Sequence, residues 1–382
     1  MPRSTGDGPL AGIRVLDFSR ILAGPLATMV LADLGADVIK VERPGTGDDT
    51  RSWGPPFVGE DAAYYLSVNR NKRSVALDLQ TPEGADTARR LAATADVLVE
   101  NFRPGLMARF GLDFETLSAA YPRLVYCSLL AFGEDESEAR PGYDIIVQGM
   151  SGLMSVTGER DGHPVKVGVA LLDVITGLYA ANGIQAALRE RDVTGAGRRV
   201  SVSLYEASVA AMVNQAANHL LGGIVPGPMG TEHPNIVPYQ VFDASDRPFV
   251  LAAGNDKLYR LTCEVIGRPE LADDPRFTTN EARVENREIL IPLLQGEFSG
   301  QRMAHWLEAL ESRSVPCAPV ARLDDVFASP EGSATVQAVD DPARGRLNLV
   351  ASPIRIDGQR AEVRMPPPRL GEHTAEILAE LE

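Results

Sequence analysis

The stretch "IRVLDFS" (13–19) is a short run rich in β-branched and aliphatic residues, as in a buried strand, and "DVIKVE" (37–42) is a second such run. Between them Gly24 and Pro25 open a helix; Pro25 suits its first position, where a missing N–H costs nothing. Leu26, Met29, Val30 and Leu34 recur at helical spacing, and Gly35 suits the C-terminal end. A strand, a helix and a strand at this spacing predict a parallel pair joined by a right-handed crossover. The pattern then repeats. A helix over 82–95 leads to the strand "DVLVEN" (96–101), and a helix around "FETLSAAYP" leads to a strand over 123–133. The N-terminal third is therefore predicted to be a doubly wound α/β unit. Its first strand–helix loop, "SRILAGP", holds one glycine and no GxGxxG, which argues against a nicotinamide or flavin dinucleotide.

From about 135 to 225 the texture is helical and rich in Ala and Gly. Further on, "YQVFDA" and "PFVLAAG" read as a hairpin across "SDR". Helices are expected over 257–267, 287–298 and 303–312, then a strand at "CAPVARL", and the tail "LNLVASPIRIDG" returns to strand character. The expected organisation is a large α/β domain over 1–224, a small α+β domain over 225–330, and a return to the large domain over 331–382. A formal net charge of −15 gives no electrostatic case for nucleic acid or an anionic membrane. Cys127, Cys263 and Cys317 form no CxxC pair, and the five histidines show no metal-ligand spacing, so no metal site is expected. "MPRSTGDGPLAG" lacks an apolar signal core, and the expected location is the cytoplasm.

One carboxylate stands out. Asp173 lies inside "GVALLDVITGLYAANG" (168–183), among Val, Ala, Leu, Ile and Gly. A buried charge is costly unless it is paired, hydrogen-bonded or used. Asp173 is either the N-cap of the helix marked by Ile175, Leu178, Tyr179 and Ile184, or a reactive group; from this window the cap is the commoner case.

Six stretches taken in order bear on that choice. They are "VLDFSRILAGPLATMVLADLGADVIKVERPGTGDDTRSWGPPF", "NRNKRSVALDLQTPEG", "DVLVENFRPG", "GYDIIVQGMSG", "GVALLDVITGLYAANGIQAALRERDVTGAGRRV" and "PPPRLGEHTAEIL". Together they resemble the class III CoA-transferases, the family of formyl-CoA transferase and crotonobetainyl-CoA:carnitine CoA-transferase. The resemblance implies a Rossmann-like large domain built from both chain ends, a small domain between them, and an interlocked homodimer. It places Asp173 at the family's nucleophilic aspartate and Asp144 at a neighbouring acidic position. A carboxylate suits that role, because it is ionised at neutral pH and attacks a thioester without a separate base. The glycines nearby, including Gly149 and Gly152, are candidates for close approach of backbone N–H donors to the developing oxyanion.

For the CoA thioester, which is a substrate and not a bound cofactor, the resemblance points to Ala23, Arg43, Leu77, Asp78, Leu79, Gln80, Asn101, Phe102, Arg103 and Arg109. Most of these lie at or beyond strand ends, where open α/β sheets bind ligands, and an arginine can grip a phosphate bidentately. Lys72 reads either as one more cation of that site or as a solvated strand edge. Related racemases carry His before the acid. Here Tyr143 stands there, a poor proton acceptor at neutral pH, which favours transfer over racemisation. The glycine-only lid of formyl-CoA transferase is replaced by "GPMGTEHPNIVPYQVF", which resembles the branch using succinyl-CoA and dicarboxylic acids. A remote carboxylate needs a cation, and Arg20, Arg51 and His233 are the candidates. The expected reaction moves CoA from an acyl-CoA to a carboxylic acid. Racemisation of a CoA ester and non-catalytic acyl-CoA binding are the alternatives.

Overall fold

The computed structural model describes residues 7–133, 140 and 142–382. The reading of residues 1–6 and the start of the helical stretch near 135 lie outside these. The chain divides into two compact units. The first comprises 1–153, 166–224 and 331–382, and the second comprises 154–165 and 225–330.

Six parallel strands form the centre of the first unit: β1 (Arg14–Asp17), β2 (Asp37–Glu42), β3 (Lys72–Ala76), β4 (Val97–Glu100), β5 (Val125–Leu130) and β6 (Arg199–Ser203). Their order is β3-β2-β1-β4-β5-β6, so the winding reverses between β1 and β4. Alternate side chains feed two cores. Val15, Val97, Val99, Val125 and Cys127 pack on one face with α1 (Ala23–Asp33), while Leu16, Leu98, Leu124 and Tyr126 pack on the other with α2 (Pro82–Ala92) and α3 (Phe114–Ala120). α4 (Asp144–Met150), the long α5 (Leu171–Thr194) and α6 (Leu204–Ala211) follow. α5 is apolar and long enough to span a membrane by composition alone, yet it packs along α1 and buries Thr176, Gly177, Ala180, Ala181 and Ile184.

The strand ends carry buried charge. At the N-terminal ends, Arg14 and Arg73 converge on Asp37 at 3.0 and 2.7 Å, and both also reach Glu380. Further along the sheet, Lys72 at the start of β3 meets Asp17 at the end of β1 at 3.2 Å, and Lys40 in β2 meets Asp48 at 2.8 Å. Lys72 is therefore neither a solvated edge nor a free cation: it is fully buried, although β3 is an edge strand.

Residues 331–382 form part of this unit and add no strand to the parallel sheet. β10 (Val336–Asp341) and β11 (Gly345–Val350) pair with each other in a two-stranded sheet, and α10 (Thr374–Ala379) packs on β3. In the second unit β7 (Tyr239–Asp243), β8 (Pro248–Ala252) and β9 (Cys317–Pro319) form an antiparallel sheet. α7 (Asp256–Val265), α8 (Arg287–Phe298) and α9 (Met303–Glu311) complete its core around Phe242, Phe249, Phe298 and Trp306.

Candidate active site

Reversal of the winding separates the loops after β1 and β4, leaving a crevice beyond the strand ends. A cavity of about 720 Å³ lies there. Arg20 comes from the loop after β1, Ala23 from the start of α1, Asn101 to Arg103 from the loop after β4, and Tyr143 and Asp173 from the starts of α4 and α5. A second cavity of about 210 Å³ adjoins it and shares Arg20 and Phe102; Arg43 and Leu77 to Gln80 line it. The residues that the resemblance assigns to CoA thus fall into two neighbouring cavities, with Arg109 in the larger.

Asp173 is not the N-cap of its helix. Ala170 occupies that position, and Asp173 is the third helical residue. Ala170 has no side chain to satisfy the first amides, so Asp144 reaches across from α4 and accepts the Leu172 N–H at 2.8 Å. Buried Gln148 holds Asp144 in turn: its Nε2 donates to Asp144, and its Oε1 accepts the Val167 N–H at 2.9 Å. Burial first, and then the Asp144 charge, push the Asp173 carboxyl up to about 7, with the Ala23 N–H opposing. The expectation of an almost fully ionised Asp173 is therefore corrected: the carboxyl keeps its proton to far higher pH than an ordinary aspartate.

Ala23 begins α1, whose N-cap Leu22 also offers no side-chain acceptor, so its amide is free to face an anion. Close packing brings it there. A Cβ on Gly177 would lie 2.6 Å from the Ala23 carbonyl oxygen, so only glycine lets α1 and α5 approach this closely. Gly149 and Gly152 are not among the residues lining the cavity.

Arg20 is half-exposed, pairs with Asp49 at 3.0 Å and lies over the Phe102 ring at 5.1 Å. Its Nε is buried without a hydrogen-bond partner. Arg51 is different. Its guanidinium donates to Glu42 at 2.9 and 2.7 Å, to Asp61 at 2.7 Å, to the Tyr65 hydroxyl at 2.6 Å and to the Pro368 carbonyl at 3.1 Å. It is buried and committed, so its assignment to a substrate carboxylate is withdrawn. His233 belongs to the second unit, where its Nδ1 accepts the Asn235 N–H and its ring meets Tyr239 edge-on. Burial and Arg287 lower its pKa, which disfavours a cationic role there.

Several cavity or neighbouring residues carried no motif signal. Arg140, Phe132 and Leu106 line the larger cavity. Tyr64 meets Trp53 edge-on at 5.6 Å and packs against the cluster of Leu22, Met29 and Val68, as do Ile21, Leu26 and Val174. Burial, Asp173 and Asp144 raise its pKa, which keeps the phenol protonated beside the two carboxylates. Only the fold brings it there. No group of three or more His, Cys, Asp or Glu suited to a metal occurs among the described residues.

The model of CoA-transferase family III matches residues 10–374. The chain belongs to that family. A succinate–glutarate CoA-transferase of Agrobacterium fabrum is 45% identical to this transferase, covering 98% of this chain and 96% of that one. The succinyl-CoA:glutarate CoA-transferase of Homo sapiens is 42% identical over 98% of this chain and 86% of its own. A crystal structure of a CAIB/BAIF family protein from Brucella suis superposes with a TM-score of 0.85 at 43% identity, covering 99% of the transferase and all of that chain.

Proposed function

We propose that this CoA-transferase moves CoA from succinyl-CoA to a dicarboxylic acid of glutarate size, with Asp173 as the nucleophile. The observation that carries the reading is the half-buried Asp173 carboxylate, set in an otherwise apolar helix start between the Ala23 amide and the cavity. Asp173 attacks the thioester carbonyl; the C–S bond breaks, leaving a mixed anhydride and CoA thiolate. The thiolate attacks the aspartyl carbonyl, giving an aspartyl-CoA thioester and releasing the first acid. The acceptor carboxylate then attacks that thioester, re-forming an anhydride and freeing the thiolate. Attack of the thiolate on the acyl carbonyl yields the new CoA ester and restores Asp173. Charge develops on a carbonyl oxygen at each step, and the Ala23 amide at the start of α1 is the donor best situated to meet it. The larger cavity takes the acyl end and the smaller one, with Arg43, the nucleotide end. An interlocked homodimer belongs to the same reading, and the exposed Val213, Leu220 and Leu221 of the large unit supply apolar surface for it.

The test is incubation with succinyl-CoA and a panel of acids, followed by mass spectrometry. New CoA esters of dicarboxylic acids are expected, together with a hydroxylamine-trapped adduct at Asp173. Exchange of an α-proton without transfer would favour the racemase alternative. A finer prediction concerns Arg20, whose buried Nε lacks a partner beside the cavity. Arg20→Ala is expected to lower kcat/KM for glutarate about ten- to a hundredfold while sparing butyrate, since only glutarate has a second carboxylate to lose its partner. An unchanged glutarate-to-butyrate ratio would place the remote carboxylate elsewhere.

A further inference from the structure

We propose that Asn101 and the buried Lys40–Asp48 pair are positioning groups that hold residues 19–22 in a strained turn and so aim the Ala23 amide at Asp173. The inference rests on the reading of Asp173 as the nucleophile. Ile21 has φ of 73°, the left-handed region that a β-branched residue avoids. Such a conformation persists only where its surroundings over-determine it. Here they do so residue by residue. The Ser19 N–H donates to Asp17 at 2.9 Å, and the Ser19 carbonyl accepts from Lys40 Nζ at 2.8 Å. Asn101 Oδ1 accepts the Arg20 N–H at 2.9 Å, while its Nδ2 donates to the Arg20 carbonyl at 2.8 Å. The Ile21 N–H donates to both Asp48 carboxylate oxygens, at 3.2 and 3.3 Å. Lys40 in turn holds Asp48 at 2.8 Å, with neither side chain reaching solvent. Five backbone groups before α1, the N–H and carbonyl of Ser19 and of Arg20 and the N–H of Ile21, are thus held by side chains from β1, β2 and the segments after β2 and β4.

Two features turn this from a folding device into a catalytic one. The turn opens directly into Ala23, the amide that acts on Asp173, and Gly24 packs so tightly on Ser19 that a Cβ there would lie 2.2 Å from the Ser19 Cβ. A shift at residues 19–22 therefore cannot be absorbed before it reaches the amide. Asn101, moreover, spends both ends of its amide on the Arg20 backbone, so its observed contacts are with the loop although it lies at the cavity wall. A group that touches CoA contributes to binding, whereas a group that aims a donor at a transition-state oxyanion contributes to turnover.

Steady-state kinetics of the full-length enzyme with succinyl-CoA and glutarate separate these roles. Asn101→Ala is expected to lower kcat about 30- to 100-fold while KM for succinyl-CoA stays within about threefold, the scale of loss for a donor displaced by an ångström. Asp48→Asn is expected to behave alike, and the double variant to lose little more than the worse single one, because both act through one turn. A raised KM with kcat retained would make Asn101 a CoA ligand and overturn the proposal. So would unchanged kinetics per folded molecule with only a lowered melting temperature. If Asp48→Asn does not fold, Asn101→Ala, at the cavity wall and only partly buried, carries the test alone. Hydroxylamine trapping on the wild-type enzyme is scored separately: turnover with no adduct at Asp173 removes the nucleophile reading and this proposal with it, whereas an adduct at Asp173 with full kcat in Asn101→Ala removes only this proposal.

Discussion

Asp173→Asn is expected to lose at least about a thousandfold in CoA transfer and yet to be more stable than the wild-type enzyme. The first effect follows from chemistry, since a neutral amide is a poor acyl acceptor and the anhydride cannot form. The second follows from linkage. Asp173 ionises near pH 7 in the fold but near 3.8 when the chain is unfolded. Below about pH 4 both states hold the proton and the carboxyl has no effect. Between about 4 and 7 the unfolded chain releases it first, so stability falls as pH rises, and the penalty is complete above 7. Partial exposure screens the charge, leaving a gain for Asn of about 2 kcal/mol at pH 8 that vanishes towards pH 4. Thermal unfolding of both proteins at pH 4.5 and pH 8 checks this. A variant less stable than wild type at pH 8, or one retaining turnover, would contradict the account.

Arg51→Ala is expected to have the opposite profile, a large loss of stability with no change in acid preference. Removing the guanidinium leaves Glu42 buried beside Asp48 and Asp61 without its nearer cation, and breaking a buried pair in this way costs about 3–5 kcal/mol. The ring of Tyr65, 3.7 Å below the guanidinium, loses its partner as well. Urea unfolding followed by the glutarate-to-butyrate ratio of the folded fraction distinguishes this from a substrate role. A stable variant with altered selectivity would restore Arg51 to the pocket.

The contrast between Arg20 and Arg51 shows where sequence reading stops. Both lie in loops that match the family, and no local pattern separates them. What separates them is that Glu42, Asp61 and Pro368 converge on one and not on the other. The same limit hid Tyr64 and the raised pKa of Asp173, which depends on Asp144 arriving from a different helix. Periodicity, by contrast, located the buried strands well: "DVIKVE" is β2, and the first helix begins one residue before Gly24. It overlooked β6, where Arg199, Ser201 and Ser203 alternate with valines at the sheet edge and the Ala- and Gly-rich surroundings read as helix. The strand read over 13–19 proved shorter, because Phe18 and Ser19 already belong to the loop that carries Arg20. The helix start at Asp173 was legible from its motif, and its missing cap was not, since the capping carboxylate is supplied by another helix.

The large unit is also discontinuous in time. Arg73 finds Glu380 across 307 residues of chain. At roughly 5–20 residues per second, a ribosome takes about 15–60 s to cover that interval. Throughout it, β3 has left the exit tunnel while α10, which packs against it, is still unmade, and Arg73 has only Asp37 to answer its charge. The second unit, drawn mostly from residues 225–330, is synthesised entirely within the same interval and can close first. The nascent large unit therefore waits with an unsheltered sheet edge, the kind of edge on which incomplete α/β units pair wrongly.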